Sequence, residues 1–281
     1  MPTSEKNILL ESLHRMPFTD DTINFNELLI EKSRLILGKS PIDAEQWAHV
    51  NAPGLWNDFR AMQDSNINGI ISQFVIEDVN AKKFRFVRPT DFQGCPNKCS
   101  LLRARPYILQ EIDKFTSRQY EALAVYLCIL LGADKYLLTP PGNEGGVDFY
   151  ASVRFSDSAH YIFGIKGPVR IIGQSKKYSN KVEDSKVKEF LFTLEAVKTQ
   201  SAAIMRKVPP WFYASQGHVL GWIVAHKGFQ SGAVDRSKNH GVLLADSREV
   251  AQVLALSKKF FPSRVPSERA QLLTTKINEL L

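Results

Sequence analysis

Two runs, GNEGGVDFYASVRF at 142–155 and VRIIGQSKKY at 169–178, decide how this chain is read. In the first, a glycine-rich turn that can bend sharply and approach a ligand closely leads to Asp148, at the head of a β-rich segment. The second is strand-like and ends in Gln174-Ser175-Lys176. Residues two apart in a strand project to one face, so Gln174 and Lys176 should emerge together beside Asp148. A carboxylate, an amide oxygen and an ammonium would then converge at one place. Hard oxygen ligands for Mg²⁺, and a cation to steady a water nucleophile or a developing phosphate charge, are what phosphodiester cleavage requires. Alone, Asp148 would be an ordinary turn-capping residue; joined to Gln-x-Lys it becomes a candidate metal ligand.

Outward from this pair the chain alternates strand and helix. Thr116 to Leu131 is a helix with a capping box, Thr116-x-x-Gln119, and Gly132 as its stop. Within it Glu121 shares a face with Val125 and Cys128, so its carboxylate turns toward the interior and needs a partner. Two explanations stand: an acid in the first turn favoured by the helix dipole, or a group reaching the Asp148 site directly or through a water. Glu144, in the glycine turn, is either a solvated turn residue or a second acid near a phosphate. The 26 positions from Asp148 to Gln174 exceed what a plain hairpin needs; the SDSAH turn and β-like YIFGI within them suggest an inserted hairpin or extra strand.

After Lys177, Asp184 to Thr199 carries Val187, Phe190, Leu191, Leu194 and Val197 on one stripe, an amphipathic helix. The strands HVLGWIVAH and GVLLA follow, the second leading to a helix capped by Asp246 with Glu249 three residues on. Strand, helix and strand of these lengths imply parallel crossovers. A last helix, SERAQLLTTKINELL, would pack on the core or on a second subunit. His218, His226 and His240 lie at strand ends and a turn without ligand spacing and read as structural.

The first hundred residues have a different texture. A helix from Asn24 to Leu37, with Phe25, Leu28, Leu29, Leu35 and Ile36 as its apolar residues, stops at Gly38, and another starts after Ser40, where Ser-Pro-x-Asp supplies a cap, a first-turn proline and an acid. Trp47 and Trp56 should be core. IISQFVI and KFRFV flank the polar EDVNA segment as a hairpin. The turn-rich segment 89–106 reads as a junction near Arg105, dividing the chain into an N-terminal α+β region, 1–105, for recognition or regulation, and a second domain, 106–281. Cys95 and Cys99 lack the second ligand pair of a structural zinc site.

The Gly-Gly-Val-Asp turn entering a strand, the later Gln-x-Lys strand and the following apolar-striped helix resemble the Mrr-like restriction endonucleases of the PD-(D/E)xK nuclease superfamily, over roughly 115–256. Most of that superfamily has Glu or Asp where Gln174 stands; the Mrr-like branch uses Gln. The resemblance implies an α/β restriction-endonuclease-like core, a mixed central sheet flanked by helices, with the N-terminal α+β region as an extension. It also implies a Mg²⁺-dependent (or Mn²⁺-dependent) site in which Asp148, the Gln174 side chain, the Ser175 backbone carbonyl and Glu121 hold the metal. Lys176 would serve either as base or as electrostatic clamp. Restriction of foreign, perhaps modified, double-stranded DNA in antiphage defence is the corresponding activity; a DNA-binding or effector subunit with this fold, little cleavage and a controlling partner is the alternative.

Composition agrees with a polyanion partner. The 281 residues carry a net charge of +7, and from Lys166 to Lys207 ten basic residues face four acidic ones. Such a run can merely solvate a helix, but a phosphate backbone must reach the adjacent strand, so Lys177, Lys181 and Lys186 are expected to hold DNA. A homodimer would suit double-strand cleavage, and the N-terminal region would suit a partner protein. With 44% hydrophobic residues, a packed core is expected. No run is long and apolar enough for a bilayer and the start lacks a signal peptide, so a cytoplasmic location with reduced cysteines is expected.

Overall fold

A computed structural model describes residues 21–64, 74–86, 101–142, 146–154, 167–215, 217–257 and 265–281, together with 5, 8–10, 12 and 16. The SDSAH turn and YIFGI run expected as an inserted hairpin, Glu144 and the Cys95/Cys99 pair lie outside the described residues. The chain divides into two compact units, one of Met1–Gln110, Ala251–Lys258 and Pro262–Arg269, the other of Glu111–Val250, Lys259–Phe261 and Ala270–Leu281.

In the first unit, β1 (Ile23–Asn24), β2 (Phe74–Asp78) and β3 (Lys83–Phe86) form an antiparallel sheet in the order β1-β3-β2. Two helices, α1 (Phe25–Leu37) and α2 (Pro41–Asp64), precede the hairpin. Each begins where a side chain satisfies the free N–H groups of the first turn: the Asn24 side-chain Oδ1 accepts from the Asn26 and Glu27 N–H groups, and the Ser40 hydroxyl accepts from the Asp43 N–H. The β2–β3 turn is closed by Asp78, whose carboxylate accepts from the backbone of Asn80 and Ala81. The core is aromatic: Phe59 stacks on Phe74 with centroids 3.9 Å apart, and Phe25, Trp56 and Phe84 surround them. Leu35 and Ile36, expected in the apolar stripe, are 71% and 40% exposed; Phe25, Leu28 and Leu29 are the residues of α1 that pack.

A helix absent from the sequence reading, α3 (Arg105–Lys114), opens where a polar junction was expected. Arg105 is fully buried and donates to the Gln252 side-chain oxygen at 2.9 Å, so it is a packed residue and not a linker residue.

The second unit is built on a five-stranded sheet, β4 (Ala133–Leu138), β5 (Phe149–Val153), β6 (Val169–Lys176), β7 (Val219–Ala225) and β8 (Leu243–Asp246), in that spatial order. The pairs β4–β5 and β5–β6 are antiparallel, while β6–β7 and β7–β8 are parallel. This is the mixed sheet flanked by helices that the sequence predicts. Helix α4 (Ser117–Leu130) lies against β4, β5 and β6, and α5 (Asp184–Lys198) against β7. Both halves of the Thr116/Gln119 capping box form.

On one sheet face Tyr150, Ile172 and Ile223 meet Val187, Phe190 and Leu194 of α5. On the other, the Phe149 ring lies across Gly173: a Cβ there would sit 1.9 Å from Phe149 Cζ, so glycine is required for the two strands to pair. Two short helices missed in the sequence, α6 (Ala202–Met205) and α7 (Pro210–Ala214), lie between α5 and β7. Helix α7 and the turn after it explain Arg170, part of the basic excess: its guanidinium donates to the Phe212 and Gly217 carbonyls and lies over the Phe212 ring. Then α8 (Ser231–His240) leads to β8, and α9 (Ser247–Leu256) starts on the Asp246/Glu249 box, with the Asp246 N–H donating to Glu249 at 2.7 Å. The last helix is α10 (Pro266–Asn278). Among the described residues, no helix is long and apolar enough to cross a membrane.

Candidate active site

Asp148 sits one residue before β5, and its backbone is pinned from both sides. Its N–H donates to Gly173 on β6 at 2.9 Å, and its carbonyl accepts from the Thr139 N–H and hydroxyl, both at 3.0 Å, just past β4. The turn before it needs Gly146, whose φ of +75° is left-handed and costly for a residue with a Cβ.

The backbone of β6 determines what the Asp148 side chain meets. Arg170 and Lys176 bond through their main chains to the β7 side, at His218 and His226, whereas Gly173 bonds to Asp148. Ser175, in step with Gly173, therefore turns its N–H toward the β5 side, where β5 has already ended. The Asp148 carboxylate takes that N–H, with Oδ2 accepting at 2.6 Å. Because the N–H and C=O of one strand residue project from the same edge, the Ser175 carbonyl also faces this side.

The Asp148 carboxyl is pushed up to about 6. Burial is the main cause; the Ser175 N–H opposes it, the Glu121 charge adds to it, and Lys176 and Arg118 pull it down. Glu121, Lys176 and Arg118 thus all act on one half-buried carboxylate. Gln174 and Lys176, both half-buried, stand at the end of β6 opposite Ile223 and Ala225. The Lys176 ammonium lies 5.7 Å from the ring centroid of the exposed Tyr178.

Glu121 lies beyond the first turn of α4, which contains no acid, so the dipole explanation fails. Its carboxylate accepts from Arg118 Nη1 at 2.6 Å, and both side chains are about one-quarter to one-third exposed. Arg118 was not anticipated, although a cation so near a helix N-terminus, where the dipole disfavours it, was a signal.

The donors suit a hard divalent cation. Asp148 is a half-buried carboxylate held by one neutral N–H, Glu121 would supply the second negative charge, and the Gln174 amide and Ser175 carbonyl are neutral oxygen donors. The Ser175 hydroxyl is itself buried without a hydrogen-bond partner among the described residues. Those residues contain no cluster of three or more His, Cys, Asp or Glu able to hold a metal, so any ion here depends on the neutral oxygens as well.

Of the three lysines expected on DNA, Lys177 is a correction. Its ammonium donates to the backbone carbonyls of Ile112, Asp113 and Phe115, and burial lowers its pKa. It caps the C-terminal end of α3, where orphan carbonyls favour a cation, and does not present itself to phosphate. Lys186 is paired with Glu189 at 2.7 Å, and Lys181 is exposed. His226, read as structural, has such a role: its ring bonds Asp113 at 2.7 Å while its N–H donates to the Lys176 carbonyl, tying β7 to the end of β6. The His218 carbonyl accepts from Arg170, and His240 closes α8.

No protein-family model matches the sequence, and no curated protein matches it. Among solved structures, the MspJI restriction endonuclease in complex with a 27-mer oligonucleotide aligns with a TM-score of 0.42 and 18% identity over 63% of this chain and 36% of that one. The DNA modification-dependent restriction endonuclease AspBHI aligns with a TM-score of 0.41 and 19% identity over 64% of this chain and 40% of that one. This chain thus matches well under half the length of either protein. Similarities of this size leave the chemistry of the site to its own residues.

Proposed function

We propose that this chain is a metal-dependent deoxyribonuclease that hydrolyses phosphodiester bonds in double-stranded DNA. The observation that carries the reading is the half-buried Asp148 carboxylate, bonded to the Ser175 N–H at the end of the strand pair and acted on by Glu121 and Lys176. Asp148 and Glu121, with the Gln174 amide oxygen and the Ser175 carbonyl, would hold Mg²⁺ or Mn²⁺. Such an ion, when bound, supplies a Lewis acid for a phosphoryl oxygen and lowers the pKa of a coordinated water. Lys176 is the ammonium beside that position; it orients the water or neutralises charge developing on the phosphate. Lys181, exposed beyond β6, would meet the backbone flanking the cut. In keeping with the family resemblance read from the sequence, the substrate class is foreign DNA, including modified DNA, and the role is restriction in antiphage defence.

One observation favours a second reading, a DNA-binding or effector subunit that cuts poorly: Gln174 leaves the site with two carboxylates, one of them already paired with Arg118. The deciding experiment incubates unmodified and modified plasmid DNA with the protein, in Mg²⁺, Mn²⁺ or chelator, beside Asp148→Ala and Lys176→Ala. Metal-dependent cutting lost in both variants supports the nuclease. Salt-sensitive binding that survives both substitutions, without cutting by wild type, supports the binder.

A further inference from the structure

We infer that Arg118 is a resident cation holding Glu121 away from the metal position, so that DNA and metal bind this chain cooperatively. The inference rests on the metal-site reading above and concerns a residue that reading does not use. Arg118 is the second residue of α4, the helix that packs on the strands bearing Asp148 and Gln174-Ser175-Lys176. Its Nη1 lies 2.6 Å from Glu121 Oε2, and its side chain is 30% exposed, so a ligand can reach it. Helix electrostatics do not favour a cation in a first turn; neighbouring carboxylates do. Besides its contact with Glu121, Arg118 acts on Asp148, in the sense opposite to Glu121.

A divalent cation shared by Asp148 and Glu121 would meet Arg118 as a like charge. The guanidinium must then release Glu121 and find another anion. Its planar fork matches a phosphate bidentately, and the anion brought to this site is the DNA backbone. Phosphate capture of Arg118 frees Glu121 for the metal. By reciprocity, DNA then raises metal affinity by the same factor as metal raises DNA affinity.

The test is Mn²⁺ binding to the full chain, followed by loss of the free-Mn²⁺ electron paramagnetic resonance signal, with and without a short duplex. A Lys176→Met background prevents cutting during the titration. Without DNA, Arg118→Gln should bind Mn²⁺ about fivefold or more tightly than the Arg118 protein, the lower range of ordinary site–site coupling. Duplex should tighten Mn²⁺ for the Arg118 protein and leave Arg118→Gln nearly unchanged; Arg118→Lys, keeping the charge, should retain part of the coupling. Arg118→Met gives the same readout should the Gln protein fold poorly. If Mn²⁺ binding requires Asp148 but is equal or weaker without Arg118, the inference is overturned while the metal site stands. Absence of Mn²⁺ binding in every protein, with or without duplex, overturns the metal site and the inference together.

Discussion

Replacing Asp148 with Asn should stabilise the protein while abolishing its proposed activity. The ordinary aspartate value is 3.8 and burial raises this one to about 6. Each unit is worth about 1.36 kcal/mol, so the ionised form costs the native state about 3 kcal/mol at neutral pH. The sign follows from the raised value. Between about pH 4 and pH 6 the native state binds more protons than the unfolded chain, so wild-type stability falls as pH rises through that window and levels off above it. Asparagine keeps an oxygen for the Ser175 N–H but carries no charge, and lacks this fall. In urea unfolding, Asp148→Asn should exceed wild type by roughly half of the 3 kcal/mol near pH 5 and by nearly all of it near pH 8. Saturating Mg²⁺ should close the gap by stabilising wild type alone, by about 2.7 kcal/mol at a hundredfold excess over Kd. Equal stabilities at both pH values would refute the argument, since Asp148 would then be a well-compensated charge.

Three further substitutions test the packing and the lysine geometry. Gly173→Ala forces a methyl into the Phe149 ring and should cost about 1–3 kcal/mol or more, read as a lower thermal midpoint; an unchanged midpoint would mean the ring moves freely. Lys177→Met strips the cation from three carbonyls at the end of α3 and should lower stability by about 1–3 kcal/mol without changing the salt dependence of DNA binding, whereas Lys181→Ala should leave stability alone and reduce the log–log salt slope by about one. A shallower slope for Lys177→Met would restore it as a phosphate contact.

What could be read from the sequence is what local chemistry determines. The Thr116/Gln119 and Asp246/Glu249 boxes and the Ser40 cap involve residues within three positions of one another, and all of them form. The strands followed from β-rich runs, and the placing of Asp148 beside Gln174-Ser175-Lys176 from alternation. The cations could not be sorted this way. Arg170, Lys177 and Lys181 look alike in a charge count, but the partners of Arg170 lie 42 and 47 residues away and those of Lys177 between 62 and 65. Only the folded chain distinguishes a cation committed to carbonyls from one facing solvent. The exposure of Leu35 and Ile36 is the same limitation in apolar form, because periodicity indicates a stripe and not which end of it is covered.

The sheet changes from antiparallel to parallel pairing at β6, and this places every strand's contribution at one rim. The ends of β4, β6, β7 and β8 and the beginning of β5 all open there, at 139, 177, 226, 247 and 148. Four connections therefore leave or enter the framework at this rim, and the one from β4 to β5 bears Asp148. Lengthening or exchanging them beyond Thr139, Asp148 and His226, whose backbones bond to the strands, would reshape what reaches the carboxylate without disturbing the ladder beneath it. Such a rim is a ready place for lineages, or for an engineer, to alter substrate choice while the scaffold is inherited intact.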